Sequence, residues 1–225
     1  MNQKPLTNSF EIKRIELEEK LGVKLIPDIT SYNKVIPLQE IVQINGISIL
    51  DKEFVLAMIR AVPLRQDRQL IFPYEQAHFE IYEAAIEQFK VGQKFVLEDK
   101  ILNLVTRIRS KFQNYFTGSI SKMSPLQIYG TDNAGNQALS FYLPPVIETH
   151  NGIPSILDGT HRSFLNLATG SSVKVLHIYN INSPLPYEPV RWEDVRLVKE
   201  RPDLQDRYNN LDISLFRNFG AVGIK

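Results

Sequence analysis

The residues best suited to chemistry stand together as Asp158-Gly159-Thr160-His161-Arg162, between an apolar run and a helical pattern. An imidazole that titrates near neutrality can transfer protons or bind an anion. A planar guanidinium can bind phosphate oxygens in a bidentate manner. Asp158 could hold a metal ion or orient His161, or its carboxylate could satisfy local N–H groups in an Asx turn. We therefore predict Asp158, His161 and Arg162 as the catalytic residues.

The pattern around these residues predicts a strand, a turn, a helix and a second strand. Residues 153–157 form an apolar run that ends at an Asp-Gly turn, and a helical stretch then extends to Gly170. The first N–H groups of a helix have no partner within it, and the helix dipole favours negative charge there. A phosphate or another anion could therefore bind at this turn. The predicted binding residues are Gly159, Thr160, His161, Arg162 and Ser163.

Several of these residues also have a structural interpretation. Glycine is common in turns of every kind, Thr160 could simply cap the helix, and a lone histidine is more often structural than functional. The arginine that follows His161 favours the functional interpretation.

The five-residue motif resembles the D-G-x-H-R element of the ParB/sulfiredoxin superfamily, which includes ParB partition proteins, sulfiredoxin and a group of free-serine kinases. Residues 143–148 are similar to the family's P-x-x-V strand, and Asn151-Gly152 to the hairpin turn before the motif. An Asn-Gly pair between apolar runs is itself a hairpin signal. The resemblance covers residues 143–179 and implies that the His-Arg pair contacts nucleotide phosphates.

A second, weaker similarity concerns residues 33–62. Residues 35–41 are similar to the V-P-L-x-x-I strand that opens ParB-like domains, and a helix capped by Asp51 is predicted soon after it. If this similarity holds, the family fold begins near Asn33 and the middle of the chain is an insertion.

The chain departs from the family at two points. It has no cysteine, which excludes sulfiredoxin chemistry and thiolate metal sites. The kinase members use a glutamate shortly after the first strand as a base, whereas this chain has Gln43-Ile44-Asn45, with Glu40 nearest. Phosphorylation of a small hydroxyl substrate is therefore in doubt.

Two functions are compatible with the turn. In the first, the chain is a phosphotransferase or nucleotide hydrolase that binds ATP, ADP or CTP with Mg²⁺. In the second, the turn belongs to a non-catalytic module that senses a metabolite or binds nucleic acid. Arg107, Arg109 and Lys111 favour nucleic acid, although a solvated helix face explains them as well. Without cysteine or an H-E-x-x-H motif, we expect no metal site built from protein ligands alone.

The composition is typical of a folded cytoplasmic protein that contacts no membrane. Apolar residues make up 43% of the 225 residues, and the formal net charge is +1, so no general basic field is present. No apolar run approaches the ~20 residues that cross a bilayer, and the N-terminus lacks an apolar signal region.

We predict an α/β (α+β) fold in three parts. Residues 1–122 form a helix-rich N-terminal and middle region. Residues 123–200 form a ParB/sulfiredoxin-like mixed sheet with flanking helices, and residues 201–225 form a C-terminal tail.

Local patterns predict the remaining elements. Helical spacing of apolar residues predicts helices over residues 10–21, with Ser9 as cap, 79–89 and 97–116. Asn45-Gly46 predicts a tight turn after an extended segment, residues 35–44. Strands are predicted over residues 126–129 and 137–142.

Four polar or aromatic residues outside the motif have predicted environments. Glu148 is expected to be solvated on its strand, and His150 to be exposed in the hairpin turn. His177 is expected to be a core histidine with both nitrogens bonded, and Trp192 to anchor the C-terminal part by burial.

Replacing Arg162 with alanine tests the motif. Loss of a charge-assisted phosphate contact should weaken nucleotide binding by about 2–4 kcal/mol with little loss of stability. Calorimetric titration of Arg162→Ala measures this, and an unchanged affinity would remove Arg162 from the proposed role.

Overall fold

The computed structural model describes residues 10–26, 30–65, 70–113, 115 and 120–224. The described residues form helices and three sheets, with several runs of consecutive strands between the helices. This confirms the α+β prediction. The helices are α1 Arg14–Leu21, α2 Lys52–Arg60, α3 Glu98–Asn103, α4 Arg109–Phe112 and α5 Thr160–Thr169. A π-helical turn, Leu104–Ile108, connects α3 to α4.

The strands of the described residues are between two and seven residues long. They are β1 Ile12–Lys13, β2 Lys34–Val35, β3 Gln43–Ile49, β4 His78–Ala84, β5 Lys90–Val91, β6 Phe95–Leu97, β7 Leu126–Thr131, β8 Gln137–Tyr142, β9 Val146–His150, β10 Ile153–Asp158, β11 Val173–Tyr179 and β12 Arg196–Val198.

Three sheets combine these strands. One five-stranded sheet has the order β1-β2-β8-β7-β3, and a second has the order β4-β11-β9-β10-β5. In the second sheet β11 lies parallel to β9 and β10 lies parallel to β5, while the other neighbours are antiparallel. The third sheet is the parallel pair β12-β6. The largest core cluster draws on residues of both five-stranded sheets, including Phe141 and Ile178, so these sheets share one hydrophobic core.

The local structure around the motif agrees with the sequence prediction. Asn151 and Gly152 form the β9–β10 hairpin turn with φ of 51° and 76°. Strand β10 leads through Gly159 into α5, which ends at Gly170 in the left-handed conformation, and β11 follows. At α2, Asp51 caps the helix by accepting the Phe54 N–H at 2.6 Å, also as predicted. The order of elements around the D-G-T-H-R turn is thus confirmed.

The helix predicted over residues 79–89 is wrong. This segment contains all of β4 but its first residue, followed by a short 3₁₀ turn, and β5 begins directly after it. Every residue of β4 pairs with β11, from His78 opposite Tyr179 to Ala84 opposite Val173. Cross-strand packing of these aromatic and branched side chains overrides the helical spacing.

Other predicted elements need smaller corrections. The first helix begins at Arg14, because Ile12 and Lys13 pair with β2, and Ser9 lies outside the described residues. Asn45 and Gly46 form no tight turn but lie within β3, where the register with β7 shifts. A 3₁₀ turn interrupts the extended segment predicted over residues 35–44. The helix predicted over 97–116 is observed over residues 98–112, and part of its end lies outside the described residues.

Strand pairing crosses residue 122 in both five-stranded sheets. Strand β8 lies beside β2, and β11 lies beside β4. The division into residues 1–122, 123–200 and 201–225 remains a prediction about separate folding units, and the ParB/sulfiredoxin fold remains a prediction as well.

The prediction that Glu148 is solvated is wrong. This residue is fully buried on β9. Arg217 donates to its carboxylate from Nε at 2.9 Å and from Nη2 at 2.8 Å. The Tyr74 hydroxyl also donates to it, and His150, which is only partly exposed, contacts it at 2.6 Å. Burial alone would raise the pKa of Glu148, but the His150 hydrogen bond and the Arg217 charge hold it below its usual range. Glu148 therefore stays charged and attaches the C-terminal segment to β9.

Replacing Arg217 with methionine removes the partner that neutralises this charge. Breaking a buried ion pair costs about 3–5 kcal/mol, so we expect a loss of that size in the free energy of unfolding, measured with urea. Arg65→Met is the matched control, because Arg65 is exposed and its described side-chain contact is with the Phe216 ring, at 5.9 Å. Equal losses in the two variants would contradict this account of Glu148.

Candidate anion-binding site

The first turn of α5 forms directly after Gly159. This glycine is the N-cap with φ 89° and ψ 17°, and no side chain caps the helix. A Cβ on Gly159 would lie 3.0 Å from Arg162 Nη2 and from Pro145 Cα, so a side chain here would be both strained and crowded. Because α5 has no side-chain cap, its first N–H groups can receive an external acceptor.

Arg162 is held by contacts within the protein. Its Nη1 donates to the Leu143 carbonyl at 2.5 Å, and its Nη2 contacts Asp158 Oδ2 at 3.2 Å. The guanidinium also lies 5.1 Å from the centre of the Tyr142 ring. The Asp158 side chain is 43% exposed and that of Arg162 only 20%. Arg162 therefore fixes the turn, and Arg162→Ala should cost stability as well as any ligand contact, contrary to the expectation from sequence.

His161 connects α5 to the start of α3. The Leu97 N–H donates to its Nε2 at 3.2 Å. Partial burial, and then the charges of Lys100 and Arg201, lower the pKa of His161 to about 4. The imidazole is therefore neutral at physiological pH, and the nitrogen that could accept a proton is already bonded.

Three cations converge beside the motif: Lys100 in the first turn of α3, and Arg201 and Arg207 in the C-terminal segment. Lys100 is solvent-exposed, but desolvation by the surrounding protein lowers its pKa, and the charges of Arg201 and Arg207 lower it further, while Asp99 and Asp158 act in the opposite direction. The pKa of Arg207 is likewise lowered by partial burial and by Arg201. The three cations thus lie close enough to repel one another.

None of these three cations forms an ion pair with a carboxylate of the described residues. The Nε of Arg207 is buried and has no hydrogen-bond partner in the described part of the chain. Three cations near an uncapped helix start, with only Asp99 and Asp158 acting against their charge on Lys100, form an arrangement that can bind anions. We name Lys100, Arg201 and Arg207 the cation cluster.

The pairing of β6 with β12 explains why these residues meet. The two strands run parallel, with Leu97 opposite Val198. Lys100 and Arg201 each follow one of these residues by three positions and so emerge at the same edge. The backbone of Arg207 lies at the other end of β6, where its carbonyl accepts the Lys94 N–H at 2.9 Å.

The remaining predicted binding residues lie deeper. Thr160 is buried, and Ser163 is fully buried with an Oγ that has no hydrogen-bond partner among the described residues. The binding roles of Thr160 and Ser163 stay predictions.

The described residues contain no cluster of three histidine, aspartate or glutamate side chains that could hold a metal ion. Mg²⁺ is usually bound by one or two carboxylates together with substrate phosphates. At this site Asp158 and Asp99 are the carboxylates that influence the pKa of Lys100. Because two carboxylates cannot fill the coordination shell of Mg²⁺, a ligand's phosphates would have to supply most of the coordination.

Several residues outside the motif serve the structure. His177 is bonded at both ring nitrogens, with Tyr82 Oη and Thr149 Oγ1 each at 2.7 Å, as predicted for a core histidine. Trp192 donates from Nε1 to the Ile86 carbonyl at 3.1 Å and packs on the core beside β11. The basic helix cluster is smaller than the sequence indicates, because Lys111 donates to the carbonyls of residues 39 and 41.

Comparison with known proteins adds no assignment: no family model matches the chain, and no curated protein or solved structure matches it significantly. The similarity to the ParB/sulfiredoxin superfamily therefore depends on the motif residues and stays a prediction.

Among the described residues, no helix combines the length and the apolar character required to cross a membrane.

The lowered pKa of His161 makes stability depend on pH. Between about pH 6.5 and about pH 4 the unfolded chain takes up a proton at this residue that the folded chain does not. The free energy of unfolding should therefore decrease as pH falls through this range, by roughly 1–3 kcal/mol. In His161→Gln this part of the decrease should disappear, because an amide oxygen accepts the Leu97 N–H without titrating.

Urea unfolding at several pH values measures the effect. The control is His78→Gln, which replaces an exposed histidine on β4 and should keep the wild-type slope. If the slope of His161→Gln equalled that of the wild type, His161 would not be the neutral, bonded residue described above.

Proposed function

We propose that the chain binds a phosphate-bearing small molecule, such as a nucleotide, between the first turn of α5 and the cation cluster. Two observations support this most strongly. The buried Arg207 Nε has no hydrogen-bond partner among the described residues. The charges of Arg201 and Arg207 lower the pKa of Lys100, an effect that Asp99 and Asp158 oppose, and the charge of Arg201 lowers the pKa of Arg207. Like charges that repel one another are costly unless a counter-charge is supplied. An anion with several negative oxygens would supply it.

The phosphate would accept hydrogen bonds from the free N–H groups of the α5 first turn and from the cation cluster. Charge-assisted hydrogen bonds of this kind are short and about twice as strong as neutral ones. Arg162 supports the site indirectly, by holding Asp158 and the turn in place. This assignment transfers the main phosphate contacts from Arg162 to residues elsewhere in the chain.

The geometry favours binding over catalysis. A general base needs a free lone pair and a pKa suited to the pH. The His161 Nε2 accepts the Leu97 N–H, and the pKa of His161 is about 4. Asp158 is engaged by Arg162. The proposed activity is therefore that of a nucleotide- or metabolite-binding module, in which Asp158 could contact a Mg²⁺ ion carried by the ligand's phosphates.

Membership of the ParB/sulfiredoxin superfamily is part of the proposal. It is supported by the D-G-T-H-R residues in a strand–turn–helix–strand segment that follows an Asn-Gly hairpin. A nucleotide phosphate at this turn would then occupy the position that the resemblance implies.

The test combines thermal stabilisation with turnover. ATP, ADP or CTP with Mg²⁺ should raise the melting temperature by mass action, while nucleotide consumption in the same samples stays at the buffer rate. Stabilisation together with turnover would show an enzyme and overturn the binding-only proposal. If the protein were stabilised neither by any of the nucleotides nor by inorganic pyrophosphate, the proposed site itself would be contradicted.

Alanine at the cation cluster tests the individual contacts. Lys100→Ala, Arg201→Ala and Arg207→Ala should each weaken binding of the stabilising nucleotide by about 1–3 kcal/mol, as judged by calorimetric titration. The affinity should also fall as salt is added. Lys52→Ala is the control, because Lys52 is exposed at the start of α2 and should not matter. Equal affinity in all variants would exclude the cation cluster from the site.

A further inference from the structure

The helical run over residues 98–112 is unusually exposed. None of the residues of α3 or of the π turn is buried. Leu102 is 62% exposed and Val105 is 40% exposed. The helix is held mainly at its ends, by α5 near Leu97 and by the buried side chain of Phe112. Its middle therefore presents apolar side chains to the surroundings.

Four exposed residues follow one another along this helix at spacings of four, three and four: Glu98, Leu102, Val105 and Arg109. Such spacings bring side chains to one face of a helix. The π turn shifts the residues that follow it around the axis, but both basic residues at that end, Arg107 and Arg109, are exposed. We name Glu98, Leu102, Val105 and Arg109 the outer face.

The charges on the outer face are arranged symmetrically about its apolar centre. Glu98 precedes Leu102 by four positions, and Arg109 follows Val105 by four positions. Neither Glu98 nor Arg109 forms an ion pair with any other described residue. An identical helix laid antiparallel would bring the partner's Arg109 opposite Glu98 and the partner's Val105 opposite Leu102. The outer face is thus complementary to a second copy of itself.

We propose that two copies of this chain associate through antiparallel packing of their outer faces. A two-fold axis between Leu102 and Val105 makes the contact isologous, as in most homodimers. The helices would approach to about 8–10 Å, with the apolar residues at the centre and the two Glu98–Arg109 pairs at the ends. This proposal does not depend on the anion site.

The interface is small. A helix about 20 Å long buries less than the roughly 1,200–2,000 Å² of a stable complex. We therefore expect a reversible dimer with a dissociation constant of about 10–500 µM.

Charge exchange distinguishes this arrangement from others. In Glu98→Arg, the new arginine of each copy faces Arg109 of the other copy at each end of the interface. In Arg109→Glu, the new glutamate of each copy faces Glu98 of the other copy. Each single variant should dissociate about tenfold more readily than the wild type. The double variant, Glu98→Arg with Arg109→Glu, restores opposite charges in the antiparallel arrangement and should recover the wild-type dissociation constant. Glu19→Arg, at an exposed position of α1, is the control for the change in net charge.

Sedimentation equilibrium over about 5–1,000 µM protein measures these constants, and circular dichroism verifies that each variant is folded. The expected result is a wild-type dimer that both single variants weaken and the double variant restores. A wild type that is monomeric over the whole range overturns the proposal and leaves the outer face to a different partner. A dimer that the single variants do not weaken, or that the double variant does not restore, uses another surface or orientation and also overturns it.

Discussion

The hydrogen bond from the Leu97 N–H to His161 Nε2, at 3.2 Å, connects the motif turn to the start of α3. It brings α5 against β6, while burial and the charges of Lys100 and Arg201 keep the imidazole neutral. Because β6 and β12 run parallel, Lys100 and Arg201 emerge together at this edge. The cation cluster, and with it the proposed anion site, therefore depends on a contact in which His161 serves structure more than proton transfer.

A second constraint lies on β9. The buried carboxylate of Glu148 must be neutralised, and Arg217 does so with two hydrogen bonds. Arg217 also donates to the carbonyl of Pro184 at 2.8 Å. The segment of the chain between Pro184 and Arg217 contains Arg201 and Arg207. The ion pair in the core thus holds in place the part of the chain that supplies two of the three cations.

The sequence predicts well what is encoded locally. The Asn-Gly hairpin, the Asp51 cap and the turn from β10 into α5 depend on residues within a few positions of one another. For β4 the sequence predicts a helix, because the apolar spacing fits a helix as well and the partner strand β11 is distant in sequence. The ion pair of Asp158 with Arg162 is not predicted from the sequence, although their spacing of four positions permits it. No local pattern, however, relates Lys100 to Arg201 and Arg207, which meet only through strand pairing.

A crystal structure with bound ADP would test the central claim most directly. We predict that its phosphates lie at the first turn of α5, about 3 Å from Lys100 Nζ and from backbone N–H groups of that turn, with Arg201 or Arg207 as a further contact. Two results would contradict the account. In the first, the phosphates bind elsewhere. In the second, no ADP is bound at the cation cluster in crystals that contain ADP at a concentration that stabilises the protein.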